Sequence, residues 1–348
     1  MCCSVDAMDF KLKLIDRASF IRLVILTIAI ASIAIFGWSL TIWMPGQSYR
    51  QVLPPLSASE IKLQDRLKQD VEALTVKIGR RNVDNYQNLV AAKDFLDREL
   101  TQAGYTVRAQ NYTIEGKTFT NLEVEIPGSS RADEILAIVG HYDSAVTSPG
   151  ADDRTGAAAV LALAREFVGT KPMRTLRFVE FTDREPPYSS TQKRGSQVYA
   201  QAAKERGDKI VGMFSLETLG YFTDTANTQK YPPPLSFLYP NQGNFIGFIS
   251  EIDSRELLRN TIRSFRAQTK FPSEGVALPS SIQGVGWSDL RSFWQQGYQA
   301  VRITDTAPLR YPQYHTADDT IDKIDFEKLS RVTYGISKVI RDFVGLEG

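Results

Sequence analysis

The sequence predicts an α/β fold, in which a mostly parallel, mixed central sheet is flanked by helices, as one domain after an N-terminal transmembrane helix. Three observations predict it. Strand-like and helical patterns alternate along the chain after Ser59. A chargeless apolar segment lies near the N-terminus. Acidic residues and histidines follow the apolar strands, and no internal repeat or low-complexity tract interrupts the pattern.

The overall composition is that of an ordinary globular protein, because 43% of the 348 residues are hydrophobic and 23% are charged. The formal net charge is +1, from 41 basic and 40 acidic residues, so nothing indicates a nucleic-acid partner. Cys2 and Cys3 are adjacent and precede the apolar segment. A disulfide therefore cannot stabilise the main domain.

The N-terminal segment is predicted to anchor the chain in a lipid bilayer. Residues 23–44 carry no charge and are long enough to span a membrane as a helix, with Trp38 and Trp43 toward the far end. Basic residues precede this helix, which predicts that residues 1–22 are a short cytoplasmic N-terminus and that the C-terminal domain is non-cytoplasmic. Residues 45–58 are a predicted juxtamembrane linker, and residues 59–348 the domain. A cleaved signal peptide and a buried core helix are the alternatives.

Hydrophobic periodicity places the elements of the domain in order. Helices have apolar residues at three- and four-residue spacing, whereas strands have alternating or continuous apolar runs bounded by turn residues. These patterns predict helices at Ser59–Arg80 and Tyr86–Ala103, strands at Tyr105–Tyr112, Phe119–Ile126 and Ile135–Val139, a core helix at Ala157–Ala164, strands at Thr175–Thr182, Val211–Leu216 and Gln299–Ile303, and a last helix at Phe326–Phe343.

Two of the predicted strands each contain one charge in an apolar setting. Glu180 lies within TLRFVEFT, and Arg302 lies within QAVRI. An unpaired buried charge is costly, so we expect these two side chains to pair across the sheet in a structural role.

The stretch HYDSAVTSPGADDRTG, from His141 to Gly156, joins the central strand to the Ala-rich helix. His141 and Asp153 could each offer one donor atom to a metal, and Asp143 could fix the tautomer of His141. An ordinary polar loop with an aspartate helix cap is the alternative. The histidine count bears on this choice, because the chain has only two, His141 and His315, and each follows an apolar strand.

Acidic residues also follow the other predicted strands, at Asp152-Asp153, at Asp183–Glu185 and at Glu217. In open α/β sheets, ligands bind at the carboxyl ends of the strands, which is where these residues lie. Imidazole and carboxylate groups both bind metal ions. The pattern therefore favours a metal site at this edge of the sheet.

With these motifs, the chain resembles metallopeptidase family 28, the co-catalytic di-zinc aminopeptidases. The resemblance covers roughly Leu63 to Phe343 and implies the family's three-layer, zinc-aminopeptidase-like fold and a peptide substrate. The motifs that carry it, in order, are HYDS at His141, PGADD at Pro149, EPP at Glu185, LETLGY at Leu216, GWSD at Gly286 and YHTADDT at Tyr314.

The resemblance implies a set of zinc ligands at matching positions. Asp153 would bridge two Zn²⁺ ions, with His141 and Glu217 completing one site and Glu185 and His315 the other. Two ions per chain are expected, and a single ion is the alternative. Two metals that share a carboxylate can activate water and polarise a peptide carbonyl.

The sequence departs from the family pattern at three positions. Arg184 occupies the position of the general base, usually a glutamate, and a guanidinium cannot accept a proton. Arg154 stands where the family commonly has Asn, and Leu290 stands where it commonly has His. Three hypotheses follow: a membrane-anchored zinc aminopeptidase weakened by Arg184, an inactive metal-binding pseudopeptidase with an interaction or structural role, and a glutaminyl cyclase, which ranks behind both.

Overall fold

The structure is a computed structural model, which describes residues 17–346 except 183, 184, 187, 189–192, 283, 287 and 288. The chain forms two compact units, of which the first ends at Trp43 and the second begins at Met44. The first unit contains helix α1, Arg17–Thr41. This helix is long and apolar enough to cross a membrane, a property that an N-terminal signal sequence shares.

The second unit begins with two helices. Helix α2, Ala58–Glu72, starts at a capping box in which Ser57 and Glu60 satisfy each other's backbone amides. It continues into a π-helical turn, Ala73–Ile78, so the helix predicted at Ser59–Arg80 is confirmed with an irregular last turn. Helix α3, Tyr86–Ala103, ends at Gly104 in the left-handed conformation, as its sequence predicts.

A mixed sheet of eight strands follows, and it confirms the predicted fold class. The four central strands β4, β3, β5 and β8 run parallel, while β1, β2 and β6 join by antiparallel pairings and β7 pairs parallel to β6. The strands are β1 Arg108–Ile114, β2 Lys117–Ile126, β3 Arg131–His141, β4 Arg174–Phe181, β5 Lys209–Leu216, β6 Ile246–Ser250, β7 Ser273–Ala277 and β8 Ala300–Thr304, in the spatial order β1-β2-β4-β3-β5-β8-β6-β7.

Helices cover both faces of the sheet. One face packs against α2, α3, α4, α6 and α8 and forms the larger hydrophobic core, whereas α5 and α7 cover a smaller core on the other face. The sequence patterns did not predict α5, α6, α7, β6 or β7. The remaining helices are α4 Asp153–Phe167, α5 Gly195–Glu205, α6 Arg255–Gln268, α7 Leu290–Gln295 and α8 Phe326–Val344.

Helix α4 approaches the sheet unusually closely at its first turn. A Cβ atom at Gly156 would lie 2.1 Å from the carbonyl oxygen of Leu216, the last residue of β5, so only glycine fits there. This close approach brings the start of α4, where Asp153 lies, against the end of β5, which Glu217 follows.

The predicted pairing of Glu180 with Arg302 is wrong. Glu180 is on β4 and Arg302 is on β8, and β3 and β5 lie between them. Arg302 instead lies 4.0 Å from Glu217, measured from Nη1 to Oε2, and donates a hydrogen bond to the Gly284 carbonyl at 2.9 Å. Burial raises the pKa of Glu180, and the charge of Arg154 opposes that rise. The sequence shows two charges in strands but not the order of those strands in the sheet.

Candidate metal centre

The five expected ligands lie around one cavity of about 1000 Å³ at the carboxyl edge of the central sheet. Each is positioned by the end of a regular element or by the loop that follows it. His141 ends β3, Asp153 begins α4, Glu185 follows β4, Glu217 follows β5, and His315 lies in the loop between β8 and α8.

Three of these side chains form a compact buried group. One ligand atom from each of His141, Asp153 and Glu185 lies within 4.8 Å of the others. His315 joins them, because its Nε2 atom is 3.3 Å from Asp153 Oδ2 and 3.5 Å from Glu185 Oε2. His141 and Asp153 are each only 1% exposed, and Glu185 is 3% exposed, so water hydrates their polar groups very little.

The donor set fits a divalent cation. Both carboxylate oxygens of Asp153 and the Nε2 atom of His315 are buried and make no hydrogen bond in the described part of the chain. Buried polar atoms are normally satisfied, so several such atoms pointing at one another indicate an ion-binding position. Two carboxylates and two imidazoles, which these four residues provide, are typical zinc ligands.

The charges of this group shift its pKa values. Burial lowers the pKa of His315, but the carboxylates of Asp153 and Glu185 outweigh burial and raise it to about 10. Burial acts to raise the pKa of Asp153, and the facing His315 with Arg154 and His141 lowers it below its usual range. Without a metal, a protonated His315 balances the carboxylates, and a bound cation would replace that proton.

Asp143 lies where it can orient two of the expected ligands. Its Oδ1 atom is 3.2 Å from His141 Nδ1, and its Oδ2 atom accepts a hydrogen bond from the backbone N–H of Glu185 at 2.8 Å. This contact directs Nε2 of His141 away from Asp143. Asp143 is thus next to His141, and its role in fixing the tautomer of His141 stays a prediction.

Glu217 lines the same cavity but is held differently. Its Oε1 atom accepts a hydrogen bond from Ser215 Oγ at 2.7 Å, and its Oε2 atom is 4.0 Å from Arg302 Nη1. Among the described residues, Glu217 is not part of the compact group of possible ligand atoms. A metal ligand and an arginine partner are therefore competing roles for this carboxylate.

Arg154 is buried directly beside the group, with 0% of its surface exposed. Its Nη1 atom donates to the His141 carbonyl at 2.8 Å and lies 3.3 Å from His141 Nδ1, while Nη2 is 3.7 Å from Asp153 Oδ2. The sequence marked Arg154 as a departure from the family but gave no sign that it would be buried among the ligands. Its charge opposes a cation bound nearby.

The other two departures from the family pattern are Arg184 and Leu290. Arg184, the substituted general-base position, lies outside the described residues, as does Asp183. Leu290 begins α7 and is fully buried in the smaller hydrophobic core, where it packs rather than binds.

A second set of carboxyl groups, to which the sequence assigned no ligand role, holds the ligand loops together. Asp319 accepts a hydrogen bond from the backbone N–H of Asp152 at 3.1 Å, and Asp152 accepts one from the N–H of Gly220 at 2.9 Å. Burial, with the nearby Asp153 charge, raises the pKa of Asp319 to about 6. Burial together with the carboxylates of Asp305 and Asp319 raises the pKa of Asp152, and burial raises the pKa of Asp305.

Comparison with known proteins finds one matching family and several relatives. The model of Peptidase family M28 matches residues 121–340. The uncharacterised protein YfbL of Escherichia coli is 32% identical over 283 residues, which cover 78% of this chain and 86% of that protein. Leupeptin-inactivating enzyme 1 of Streptomyces exfoliatus is 36% identical over 256 residues, which cover 72% of this chain and 54% of that protein.

Solved structures with the same fold include peptidases and a cyclase. The LapA aminopeptidase of Legionella pneumophila has a TM-score of 0.64 at 16% identity and covers 85% of this chain and 77% of its own. The zinc aminopeptidase BSAP of Bacillus subtilis has a TM-score of 0.64 at 12% identity, covering 81% and 95%. A glutaminyl cyclase of Bacteroides thetaiotaomicron has a TM-score of 0.60 at 16% identity, covering 83% and 98%. These likenesses show the fold, and because the family model matches well over half of the sequence, the chain belongs to peptidase family M28.

Proposed function

We propose that this chain is a zinc-dependent exopeptidase of the aminopeptidase type, anchored in a membrane by its N-terminal helix. The observation that carries the proposal is the compact group of His141, Asp153 and Glu185, with His315 in contact, inside the region matched by the family model. Relatives described as zinc metalloproteases support zinc as the metal. Membership of a peptidase family supports peptide substrates.

In this proposal, His141 and Glu217 would hold one zinc ion, Glu185 and His315 would hold a second, and Asp153 would be shared by both. When bound, zinc supplies Lewis acidity that polarises a carbonyl group and lowers the pKa of water. The chain's own contribution is to orient these ligands: Asp143 contacts the ring of His141 and the backbone of Glu185. A metal bound by Glu217 would share this carboxylate with Ser215 and Arg302.

Proton transfer is the step that this sequence weakens. The position of the family's general base is Arg184, whose guanidinium has no acceptor atom at any ordinary pH. Loss of a general base costs roughly two to four powers of ten in rate. We therefore propose slow peptide hydrolysis rather than the full rate of a family member with a glutamate at this position.

An inactive pseudopeptidase that retains the metal site is the second candidate function. Two arginines favour this candidate. Arg184 stands at the position of the general base, and the buried Arg154 lies 3.7 Å from the expected ligand Asp153. Such a domain would use its metal-bound surface for interaction or structure. The glutaminyl cyclase hypothesis gains no separate support, because cyclases and aminopeptidases share this fold.

The substitution Arg184→Glu separates the two candidates. If only the base is missing, we expect at least a tenfold gain in hydrolysis of aminoacyl amides, within the range of about 10²–10⁴ that general-base catalysis supplies. Arg184→Gln is the matched control, because it removes the cation without supplying a base. The double variant with Glu185→Gln should lose the gain. If Arg184→Glu binds two zinc ions per chain yet hydrolyses nothing in a broad substrate panel, the pseudopeptidase is the correct assignment.

For the membrane, we propose that residues 23–44 span the bilayer, with 1–22 cytoplasmic, 45–58 as a linker and the domain from 59 to 348 on the non-cytoplasmic side. The apolar helix α1 and the basic residues before residue 23 support this arrangement. A truncated protein that starts at Met44, where the second compact unit begins, should be soluble and melt cooperatively. Aggregation of that truncation, with the full-length chain stable in detergent, would refute the arrangement. N-terminal sequencing of the mature protein tests the signal-peptide alternative.

A further inference from the structure

His315 differs from the other expected metal ligands in how its backbone is held. The other four end or begin a regular element, or follow a strand closely. His315 instead lies in the long connection between the end of β8 at Thr304 and the start of α8 at Phe326. Its side chain is 30% exposed, whereas the side chain of Asp153, which it faces, is 1% exposed. The position of His315 therefore depends on contacts that its own loop makes with other parts of the chain.

The backbone of His315 is in the left-handed conformation, with φ +59°, which is uncommon for a residue that has a Cβ atom. Such a conformation costs free energy and persists only where the surrounding contacts hold it. Two backbone hydrogen bonds form turns around His315: the N–H of Tyr314 donates to the Tyr311 carbonyl at 3.2 Å, and the N–H of Thr316 donates to the Gln313 carbonyl at 2.9 Å. Neither bond uses the carbonyl oxygen of His315.

The carbonyl oxygen of His315 accepts a hydrogen bond from the hydroxyl of Thr147 at 2.8 Å. Thr147 belongs to residues 142–152, which join β3 to α4 and which we call the first ligand loop, because His141 precedes it and Asp153 follows it. The two bonded residues are 168 positions apart in the sequence. One side-chain hydroxyl thus connects the loop between two expected ligands to a third expected ligand.

Asp319 attaches the same two loops a short distance beyond His315. Its side chain accepts a hydrogen bond from the backbone N–H of Asp152 at 3.1 Å, and its carbonyl oxygen accepts one from the N–H of Ala151 at 3.3 Å. The segment 315–319 is therefore bonded to the first ligand loop at both of its ends. Removal of the Thr147 hydroxyl would release the end that carries His315, while Asp319 would keep the other end in place.

The imidazole of His315 takes its direction from this backbone. The ring of Tyr314 is stacked on it, with the ring centroids 3.8 Å apart and an angle of 22° between the planes. The Nε2 atom of the imidazole lies 3.3 Å from Asp153 Oδ2 and 3.5 Å from Glu185 Oε2. Because φ sets the direction of the Cα–Cβ bond relative to the preceding chain, a return of His315 to a negative φ would turn Nε2 away from these carboxylates.

Resting on the proposed function, which supplies the metal, we propose that Thr147 is a positioning residue: its hydroxyl holds His315 in the left-handed conformation that directs Nε2 toward Asp153 and Glu185. A residue that orients a metal ligand contributes to metal affinity without touching the metal. Without the hydroxyl, His315 samples other backbone conformations, and the apparent affinity for metal falls with the fraction of molecules that are ready to bind. The ligands held by regular elements stay in place.

Zinc affinity of the full-length chain, measured by competition with a chromogenic chelator, tests this role. Thr147→Val removes the hydroxyl and keeps the branched shape, and it should weaken zinc binding by about tenfold, the lower end of the usual range, because Thr147 is exposed and water competes for the carbonyl. Thr147→Ser keeps the hydroxyl and should bind zinc within about twofold of wild type. Thr170→Val is the matched control, since it removes a hydroxyl that donates to the Phe167 carbonyl at 2.7 Å beyond the far end of α4. Unchanged affinity in Thr147→Val, or an equal loss in Thr147→Ser, overturns the proposal.

A spectroscopic measurement separates this inference from the proposed function. The chain has only two histidines, so selective ¹³C labelling of histidine rings gives NMR signals for His141 and His315 alone, and the signal lost in His315→Gln identifies His315. In the metal-free protein, Thr147→Val should shift or broaden the His315 signal and leave that of His141 unchanged, whereas Thr170→Val should change neither. Equal changes in both signals would mean a general disturbance and overturn the proposal. These changes, with weaker zinc binding, support it even if no peptide is cleaved, in which case only the peptidase activity fails. Peptide hydrolysis with no effect of Thr147→Val on the NMR signals or on zinc affinity refutes the inference and leaves the peptidase activity standing.

Discussion

Asp143 offers a sharp test of how the candidate metal centre is held together. Its carboxylate accepts in two directions, toward His141 Nδ1 at 3.2 Å and from the backbone N–H of Glu185 at 2.8 Å. Asp143→Asn keeps the shape but replaces one acceptor oxygen with a donor NH₂ group. One of the two contacts must then become donor against donor, so either the imidazole or the Glu185 backbone loses its orientation.

The size of the effect follows from these two contacts. Residues that orient metal ligands typically contribute a factor of about 10–100 in metal affinity, or about 1.4–2.7 kcal/mol. Asp143 is 3% exposed, so water cannot replace the lost acceptor. Its negative charge also faces the buried Arg154, which helps to keep the pKa of Asp143 low. Asn at position 143 would leave the charge of Arg154 opposed by one carboxylate fewer. We therefore expect the loss of zinc affinity to be near 100-fold, the upper end of this range.

Zinc affinity measured by competition with a chromogenic chelator at pH 7.5 provides the assay. The control is Asp133→Asn, which removes an exposed carboxylate near the start of β3, the strand that precedes Asp143; its partner is Lys209. The double variant Asp143→Asn/Arg154→Asn should recover part of the affinity, because it removes the opposing cation. An affinity for zinc within twofold of wild type in Asp143→Asn would refute the role assigned to this carboxylate.

Two further predictions concern the frame around the site. Gly156→Ala places a Cβ atom 2.1 Å from the Leu216 carbonyl oxygen, so α4 must move away from β5. We expect the free energy of unfolding, measured by urea titration, to fall by about 3 kcal/mol or more. A loss near zero would contradict the close approach. The pKa of Asp319 is raised to about 6 in the metal-free fold. Above that pH, ionised Asp319 therefore destabilises the metal-free fold, whereas below about pH 4 the neutral carboxyl group does not. Asp319→Asn should therefore stabilise the metal-free protein by on the order of 2–3 kcal/mol at pH 8 and by almost nothing at pH 4. A gain in stability that is independent of pH would exclude ionisation of Asp319 as the cause.

Much of the site could be predicted from local sequence. An apolar strand that ends in a polar loop marks a carboxyl edge of the sheet, and parallel strands bring such edges together. His141, Asp153, Glu185, Glu217 and His315 could be selected in this way and by the family motifs, and all five line one cavity. The contact of Asp143 with His141 could be anticipated because the two residues are neighbours in the chain.

Other features depended on contacts between distant residues. The sequence showed that Glu180 and Arg302 were unusual, but their partners are decided by the order of strands in the sheet. The same is true of the competition for Glu217, since Arg302 reaches it only because β8 lies beside β5. Short elements such as β6 and β7 were missed because segments of five residues carry too little periodicity to be distinguished from loops.

The sequence by itself determined the class of fold, the apolar N-terminal helix, the family and the residue types offered to a metal, because these depend on composition, periodicity and motif order. Only the tertiary structure decided which charges meet. Arg154 is a polar residue in a loop-to-helix stretch of the sequence, yet the close packing of α4 on β5 buries it against His141 and Asp153. Burial and electrostatic contact are properties of the assembled sheet and helices, since both are set by side chains far apart in the chain.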